Sequence, residues 1–404
     1  SPSRGLGDVY KRQMIENKII IWGADNSHAL GVIRQLGKSN LDVLFLVNGR
    51  SNGYASKSKY CKKIVFLSNV EKGFNYLLSN YKDKSNKAIL LLMGDEVAEV
   101  VDKNREKLLP YFFLSGTSEQ GLLSKIDDKN IMSEIAKRHG FTIPKSVEFK
   151  WNSRVDNIEY PCIVKPTALA TGRLDFKSHI CWSENDLIKM TKLMNHGNKY
   201  ILQQYIPKEY DLLITGYRKK NGEVVLAGTY YKDRWSDDGG ASHGYIVPDI
   251  PEYTNPKGIE SFLREIDYYG LFSVEYGLYK GVAYFYEFNL RNDGTSHIFY
   301  QCGANLPLSW IYDCIDYENN VPIKVEGKKY AINEVLDQIN IVRGKVSRKQ
   351  WEKDRLEASA FYFYDPEDLV PWKVAKRTAW FNRAFRSFLL KYRPLIVYWL
   401  DKLK

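Results

Sequence analysis

The stretch Tyr286–His297, YEFNLRNDGTSH, decides how the rest of the chain is read. It closes an apolar, aromatic run, GVAYFYEF, with the composition of a buried strand. Glu287, Asn289 and Arg291 then follow at every second position, and alternate residues of a strand point to one face. An acid, an amide and a guanidinium on one face need a shared partner, because a buried carboxylate without one costs several kcal/mol. A strand running out into solvent would show the same alternation without meaning, so the surrounding sequence has to choose.

Upstream, Glu275 lies in FSVEYGLY, and Lys280-Gly281 separates this run from the next, so the two read as an antiparallel pair. Two carboxylates and the amide oxygen of Asn289 meeting across a hairpin suit a hard divalent cation. Mg²⁺ takes few protein oxygens and completes its shell with phosphates and water. Lys129, Lys165 and Lys177 are candidate phosphate partners. Between the last two, TALATGR reads as a loop whose backbone N–H groups can cover a phosphate. A single Lys in a strand such as CIVKP is ordinarily an edge or surface residue; the fixed order of these features argues for a site.

Farther out, KIIIWG and LDVLFLVN read as strands around a loop and helix, and KAILLLMGDEVAEVVDKNREKL repeats the unit. This opening predicts a small parallel sheet, with Gly94-Asp95-Glu96 at a carboxyl end where such sheets bind ligands. The loop at Gly23 lacks G-x-G-x-x-G spacing, which argues against a nicotinamide cofactor. Residues 127–146 read as an amphipathic helix with Asp127 and Asp128 at its start, Gly140 at its stop and Pro144 beyond. Ser183 caps another helix. KYILQQYIPKEYDLLITGYR and GEVVLAGTYY read as strands, and residues 233–251, DRWSDDGGASHGYIVPDIP, as a loop long enough to be a lid.

The 404 residues allow two or three domains, and 44% apolar with 26% charged content is that of an ordinary soluble protein. No uninterrupted apolar run reaches the length of a membrane span. Five scattered cysteines, none in a Cys-x-x-Cys pair, suggest neither zinc nor a disulfide framework and fit a reducing cytoplasm. Residues 1–13 read as a leader or cloning remnant ahead of Met14. Of the net charge of +11, residues 373–404 carry nine Lys or Arg against Asp401, so this tail contributes +8. The remainder is mildly basic, which argues against a nucleic-acid face. In the tail, Trp380, Phe381, Phe385, Phe388 and Leu389 recur at helical spacing with Arg383, Arg386 and Lys391 among them. Two placements are open: a helix packed on the domain, or a cationic amphipathic helix on an anionic membrane.

Taken in order, these segments resemble the ATP-grasp superfamily, and its amide-forming carboxylate–amine ligases most closely, over roughly residues 18–365. The resemblance implies an α/β protein (α+β in the ligase core). Its N-terminal parallel-sheet domain would span 14–115 and its ATP-grasp core 116–330, with a small subdomain at about 145–206. An extension at 331–372 and the helical tail would follow. DK…GFTIP matches the helix after the first domain and assigns Lys129 to the nucleotide. PCIVKP places the nucleotide lysine at Lys165, with Lys177 as the second phosphate lysine. LQQYIP matches the hinge, where Gln204, Tyr205 and Ile206 would hold adenine through main-chain groups and Asp211 would meet the ribose. VEYGLY…YEFNLR makes Glu275, Glu287 and Asn289 the ligands of Mg²⁺ (two ions, or Mn²⁺ in its place) and sets Arg291 beside the transferred phosphoryl. FYFYDPEDLVPW resembles a segment that follows the ligase core. Two departures stand out: Gln204 where a Glu usually opens the hinge, and a phosphate loop poorer in Gly and Ser.

The chemistry implied is activation of a carboxylate by ATP as an acylphosphate and its capture by an amine. The expected substrates are small or lipid-linked, among them cell-envelope precursors, and the tail would give peripheral contact with a membrane. An ATP-grasp reaction of another type, or a nucleotide-binding protein without turnover, are the alternatives. His243 and His297 flank the expected substrate mouth, with His28 a weaker candidate; a structural role is the ordinary one for each.

Overall fold

The computed structural model describes residues 15–49, 53–150, 159–166, 178–192, 194, 199–236 and 240–379. Lys177, TALATGR and the tail beyond 379 lie outside these residues.

Five short strands, β1 (Ile19–Gly23), β2 (Val43–Asn48), β3 (Lys63–Leu67), β4 (Ala88–Met93) and β5 (Phe112–Leu114), form a parallel sheet in the order β3-β2-β1-β4-β5. β1 and β4 are buried along their whole length because helices cover both faces, which is why they read as unbroken apolar runs. Ile19 and Ile21 pack towards the helix Ser27–Lys38, whereas Ile20 and Trp22 pack towards Val70–Asn80 and Asp95–Lys103. The strand order reverses between β1 and β4, so a crevice opens at their carboxyl ends, where Asn26 caps the first helix and Gly94 leads into Asp95.

A four-stranded antiparallel sheet follows: β6 (Ser146–Lys150), β7 (Cys162–Pro166), β8 (His179–Cys181) and β9 (Lys199–Gln204), ordered β6-β9-β7-β8. The helix Glu184–Thr191, capped by Ser183, covers it. The largest sheet contains β10 (Tyr210–Arg218), β11 (Val224–Trp235), β12 (Ala241–Val247), β13 (Gly270–Tyr279), β14 (Val282–Asn289), β15 (Lys329–Ile332) and β16 (Ala358–Phe361), in the order β14-β13-β10-β11-β12-β15-β16. The helices Lys129–Arg138 and Pro256–Glu265 pack on one of its faces. On the other, Ser296–Gln301 and Leu306–Cys314 share a core with the first helix and β1. The segments 14–115 and 116–330 therefore meet in one hydrophobic core.

The lid expected at 233–251 is largely a β-hairpin: β11 runs to Trp235 and β12 starts at Ala241. Gly244 lies where a Cβ would come 2.1 Å from the Tyr231 carbonyl, so it permits close strand approach and not loop mobility. Arg234 also anchors the hairpin, through Asp337 (2.6 Å) and Asp354 (2.8 Å). The C-terminal extension folds back as the sheet's edge. Buried Glu334 accepts the N–H groups of Tyr362, Phe363 and Tyr364, and buried Arg34 bonds Asp368 (2.9 Å) and the Phe363 carbonyl. Residues 369–379 are helical, with Ala375 and Ala379 buried while Lys373, Lys376 and Arg377 stay exposed. Among the described residues no helix is long and apolar enough to cross a membrane.

Candidate active site

The hairpin of β13 and β14 turns at Lys280 and Gly281, whose φ values of 49° and 75° suit a two-residue turn. Counted from that turn, regular pairing would set Glu275 against Tyr286 and send Glu287 to the opposite face. The register instead shifts between Glu275 and Tyr276, so Tyr286 is the extra residue of a bulge. Glu275 then faces Glu287, Ser273 faces Asn289, and Phe285 and Phe288 both stay in the helix-covered core, 5.5 Å apart. The Tyr286 ring lies over Gly277, where a Cβ would come 2.0 Å from the phenol oxygen.

Cations surround these carboxylates. Lys232 on β11 is buried and donates to Glu275 at 3.3 Å. Burial alone would pull its pKa down, but Glu275, Asp211 and Asp293 outweigh that, so it stays charged. Burial pushes the Glu275 carboxyl up; Lys232 opposes this and Glu287 adds to it. Asp293 would also rise on burial, yet bonds from Thr295 with the charges of Lys232 and Arg291 hold it below the usual carboxylate range. Every nitrogen of Arg291 is engaged: Nε with Asp95, Nη2 with Asn289 Oδ1 (3.2 Å) and Nη1 with the Asn292 carbonyl (3.3 Å). Asp95 stands at the carboxyl end of β4, so the crevice of the parallel sheet and the carboxylate pair form one site. His28, from the first helix, lies there too, exposed and with its ring against Gly294. A cleft of about 250 Å³ beside Arg291 is lined by Asp95, Asp127, Met132 and Phe288.

On the small sheet, Lys165 on β7 donates to Gln203 Oε1 at 2.7 Å, because both side chains leave the same face of paired strands. The N–H of Gln204 is committed to the Lys145 carbonyl (2.8 Å) and that of Tyr205 to Pro161 (3.3 Å). Asp211 holds Lys208 at 2.6 and 2.5 Å, and Lys208 lies 4.6 Å from the Trp235 ring centre.

No family model matches the chain. In sequence it is similar to D-aspartate ligase of Enterococcus faecium, 25% identical over 248 residues that cover 56% of this chain and 58% of that relative. The chain thus matches little more than half of the relative's length. In structure it is similar to the ADP complex of N5-carboxyaminoimidazole synthetase from Staphylococcus aureus (TM-score 0.63, 13% identity, 84% and 86% of the two chains). The L-amino acid ligase of Bacillus licheniformis superposes at TM-score 0.58 with 15% identity over 78% and 79%. The biotin carboxylase domain of 2-oxoglutarate carboxylase from Hydrogenobacter thermophilus does so at 0.60 with 17% identity over 78% and 73%. The fold is ATP-grasp.

Within this ATP-grasp fold, Glu275, Glu287, Asn289 and Arg291 lie together, and Lys165 and Asp211 approach them around Tyr286. Its ring centre is 6.0 Å from both Lys165 and Lys208. Lys129 is exposed in the first turn of its helix, near Asp127. In the segment expected as the hinge, the N–H groups of Gln204 and Tyr205 are committed within the protein and the Ile206 side chain is buried. Lys232, Asp293, Asp95, Gln203 and Tyr286 were not singled out as site residues from the sequence. Asp95 alone had a signal, its place at the end of a strand.

The residues fit a magnesium ion. Glu275 and Glu287 oppose each other with like charge, and the Asn289 oxygen, having accepted one bond from Arg291, keeps a second lone pair. Among the described residues no three His, Cys, Asp or Glu side chains are grouped to hold a metal alone. Two carboxylates and an amide leave the other positions to phosphate and water, the coordination Mg²⁺ prefers. The structural role given above as the ordinary one describes both His297 and His243. His297 is 4% exposed and packs against Gly31 of the first helix. His243 is held by Asp233 at 2.7 Å and lies beside Tyr330, a structural placement.

Proposed function

We propose that the protein is an ATP-dependent ligase that activates a carboxylate as an acylphosphate and joins it to an amine. The observation that carries this reading is the bulge at Tyr286, which sets Glu275, Glu287 and Asn289 on one face before Lys232 and Arg291. In the first step a carboxylate oxygen attacks the γ-phosphorus and the bond to ADP breaks. In the second the amine attacks the acyl carbon, phosphate leaves and the amine gives up a proton. No protein nucleophile is required. The site's work is to stabilise charge on the transferring phosphoryl group, for which fixed cations in buried surroundings are most effective. Lys232 is kept charged by its acidic neighbours, and Arg291 is fixed through all its nitrogens. Mg²⁺ held by Glu275, Glu287 and Asn289 would neutralise the ATP phosphates. Lys165, with Lys129 and Lys177, would hold the nucleotide, and Asp211 would exchange Lys208 for the ribose.

The names of D-aspartate ligase and L-amino acid ligase support an amino acid as one substrate. The likeness to N5-carboxyaminoimidazole synthetase supports a second reading, a carboxylating ATP-grasp reaction. The proposed acceptor is a cell-envelope precursor, reached from the cytoplasmic face of a membrane through the basic residues 373–404. ADP release by the purified protein, measured over D-aspartate, L-amino acids, uronic acids and bicarbonate in pairwise mixtures, tests the proposal. An amide product with stoichiometric ADP supports it. ADP release that needs bicarbonate selects the second reading. ATP binding without turnover on any pair would sink both.

A further inference from the structure

We propose that a second cleft, formed by none of the residues assigned to nucleotide or metal, binds a neutral pyranose sugar. The cleft measures about 860 Å³, more than three times the 250 Å³ beside Arg291. It lies between the end of the first helix, the helices Ser296–Gln301 and Leu306–Cys314, and residues 317–322. Its walls are preformed. Asn319 accepts the Val321 N–H (3.0 Å) and donates to the Tyr317 carbonyl (3.2 Å), while the Asn305 N–H donates to the Pro322 carbonyl (2.8 Å).

The lining chemistry selects the ligand. Tyr300, Tyr312 and Tyr317 offer half-buried rings, the last two with centres 5.0 Å apart and planes at 49°. Asn320 offers an exposed amide among them, while the Asn305 oxygen is taken by the Leu308 N–H and Asn319 is bonded to its own loop. A tyrosine ring presents an apolar face with a polar tip, and an amide both gives and accepts bonds, so together they match a ring with C–H faces and a hydroxyl rim. Charge adds nothing for an anion. Lys38 is neutralised by Asp365 (2.9 Å) and Glu367 (3.2 Å), and Glu318 adds a negative charge at the rim. A peptide strand would need an exposed sheet edge, and a helix an apolar groove; the cleft has neither, being built from helix ends and a loop.

Saturation-transfer NMR on the full chain, with methyl glucoside, N-acetylglucosamine and glucuronate as probes, tests the assignment without any need for ligase turnover. Transfer to the two neutral sugars in the millimolar range is expected. Tyr317→Ala should weaken it by about tenfold, a loss of about 1.4 kcal/mol. Because that ring also packs on Tyr312, the exposed Asn320→Asp is the second variant, and it should weaken transfer with the fold unchanged by circular dichroism. No transfer to either neutral sugar, equal transfer in both variants, or preference for glucuronate would each overturn the site.

Discussion

Single charges decide most of what this site can do. Glu287 and Glu275 tolerate one another's charge only with a cation between or beside them, so Glu287→Gln keeps the shape and removes half of the pair. ADP formation in that variant should fall by a factor on the order of 10² or more, with an unchanged circular dichroism spectrum. Turnover near wild type would remove Glu287 from the metal assignment. His297 makes a different prediction. Burial depresses its pKa from 6.5 to about 3, so its contribution to stability is present above pH 6.5 and lost as pH falls towards 3. Each pH unit below 6.5 should cost about 1.4 kcal/mol, and His297→Phe should flatten that slope. Urea denaturation at pH 7 and pH 5 measures it; equal slopes in the two proteins would mean that the imidazole finds a partner.

At the scale of elements, the β13–β14 hairpin matters more than either strand. Its bulge is locked by Tyr286 lying over Gly277, the position where a methyl group has no room. Gly277→Ala should therefore cost about 1–3 kcal/mol by forced displacement of the ring. Adding Tyr286→Leu should recover part of that loss, a non-additivity expected of residues in contact. If the two effects simply summed, the ring would not be what fixes the bulge. The β11–β12 hairpin makes the complementary point. Its aspartates and glycines resemble those of a loop, yet Arg234 is paired with Asp337 and Asp354, so order there comes from a partner more than 100 positions away.

At the scale of the whole molecule, contacts join the first helix to the segment that follows the last strand. Arg34 in the first helix is fully buried, and its partners, Asp368 and the Phe363 carbonyl, lie beyond the last strand. Removing one member of a buried pair leaves the other charge unpaired, so Arg34→Met should destabilise by about 3–5 kcal/mol in urea denaturation. A loss near zero would mean that Asp368 is satisfied by Ser58 and the Lys59 N–H alone. The tail is the other long-range question. Ala375 packs in the core and Ala379 is buried, so a chain ending at Ala379 is the proper comparison for full-length protein. In liposome flotation with anionic lipid, full-length protein should float in a salt-sensitive way and the shortened chain should not. Each basic residue near such a surface adds about 1 kcal/mol. Equal flotation of the two would sink the membrane role.

Much of the architecture followed from local sequence, because β1 and β4 are continuous apolar runs and the helices carry caps such as Asn26, Asp128 and Ser183. The order of Lys165, Glu275, Glu287, Asn289 and Arg291 along the chain pointed to a phosphate and metal site by residue type alone. Sequence periodicity could not place Glu275 and Glu287 on the same face, since a turn at Lys280-Gly281 with regular pairing separates them. The bulge that joins them is set by packing, Phe285 and Phe288 against the helices and Tyr286 against Gly277. Lys232 and Asp293 escaped notice for the same reason. A lysine in an aromatic strand and an aspartate in a turn are ordinary locally, and they become a charge cluster only when β11, β13 and the 291–295 loop converge. Alternation and caps act within a few residues, and the sequence determined what they govern; burial and charge pairing act across sheets, and only the tertiary structure decided those.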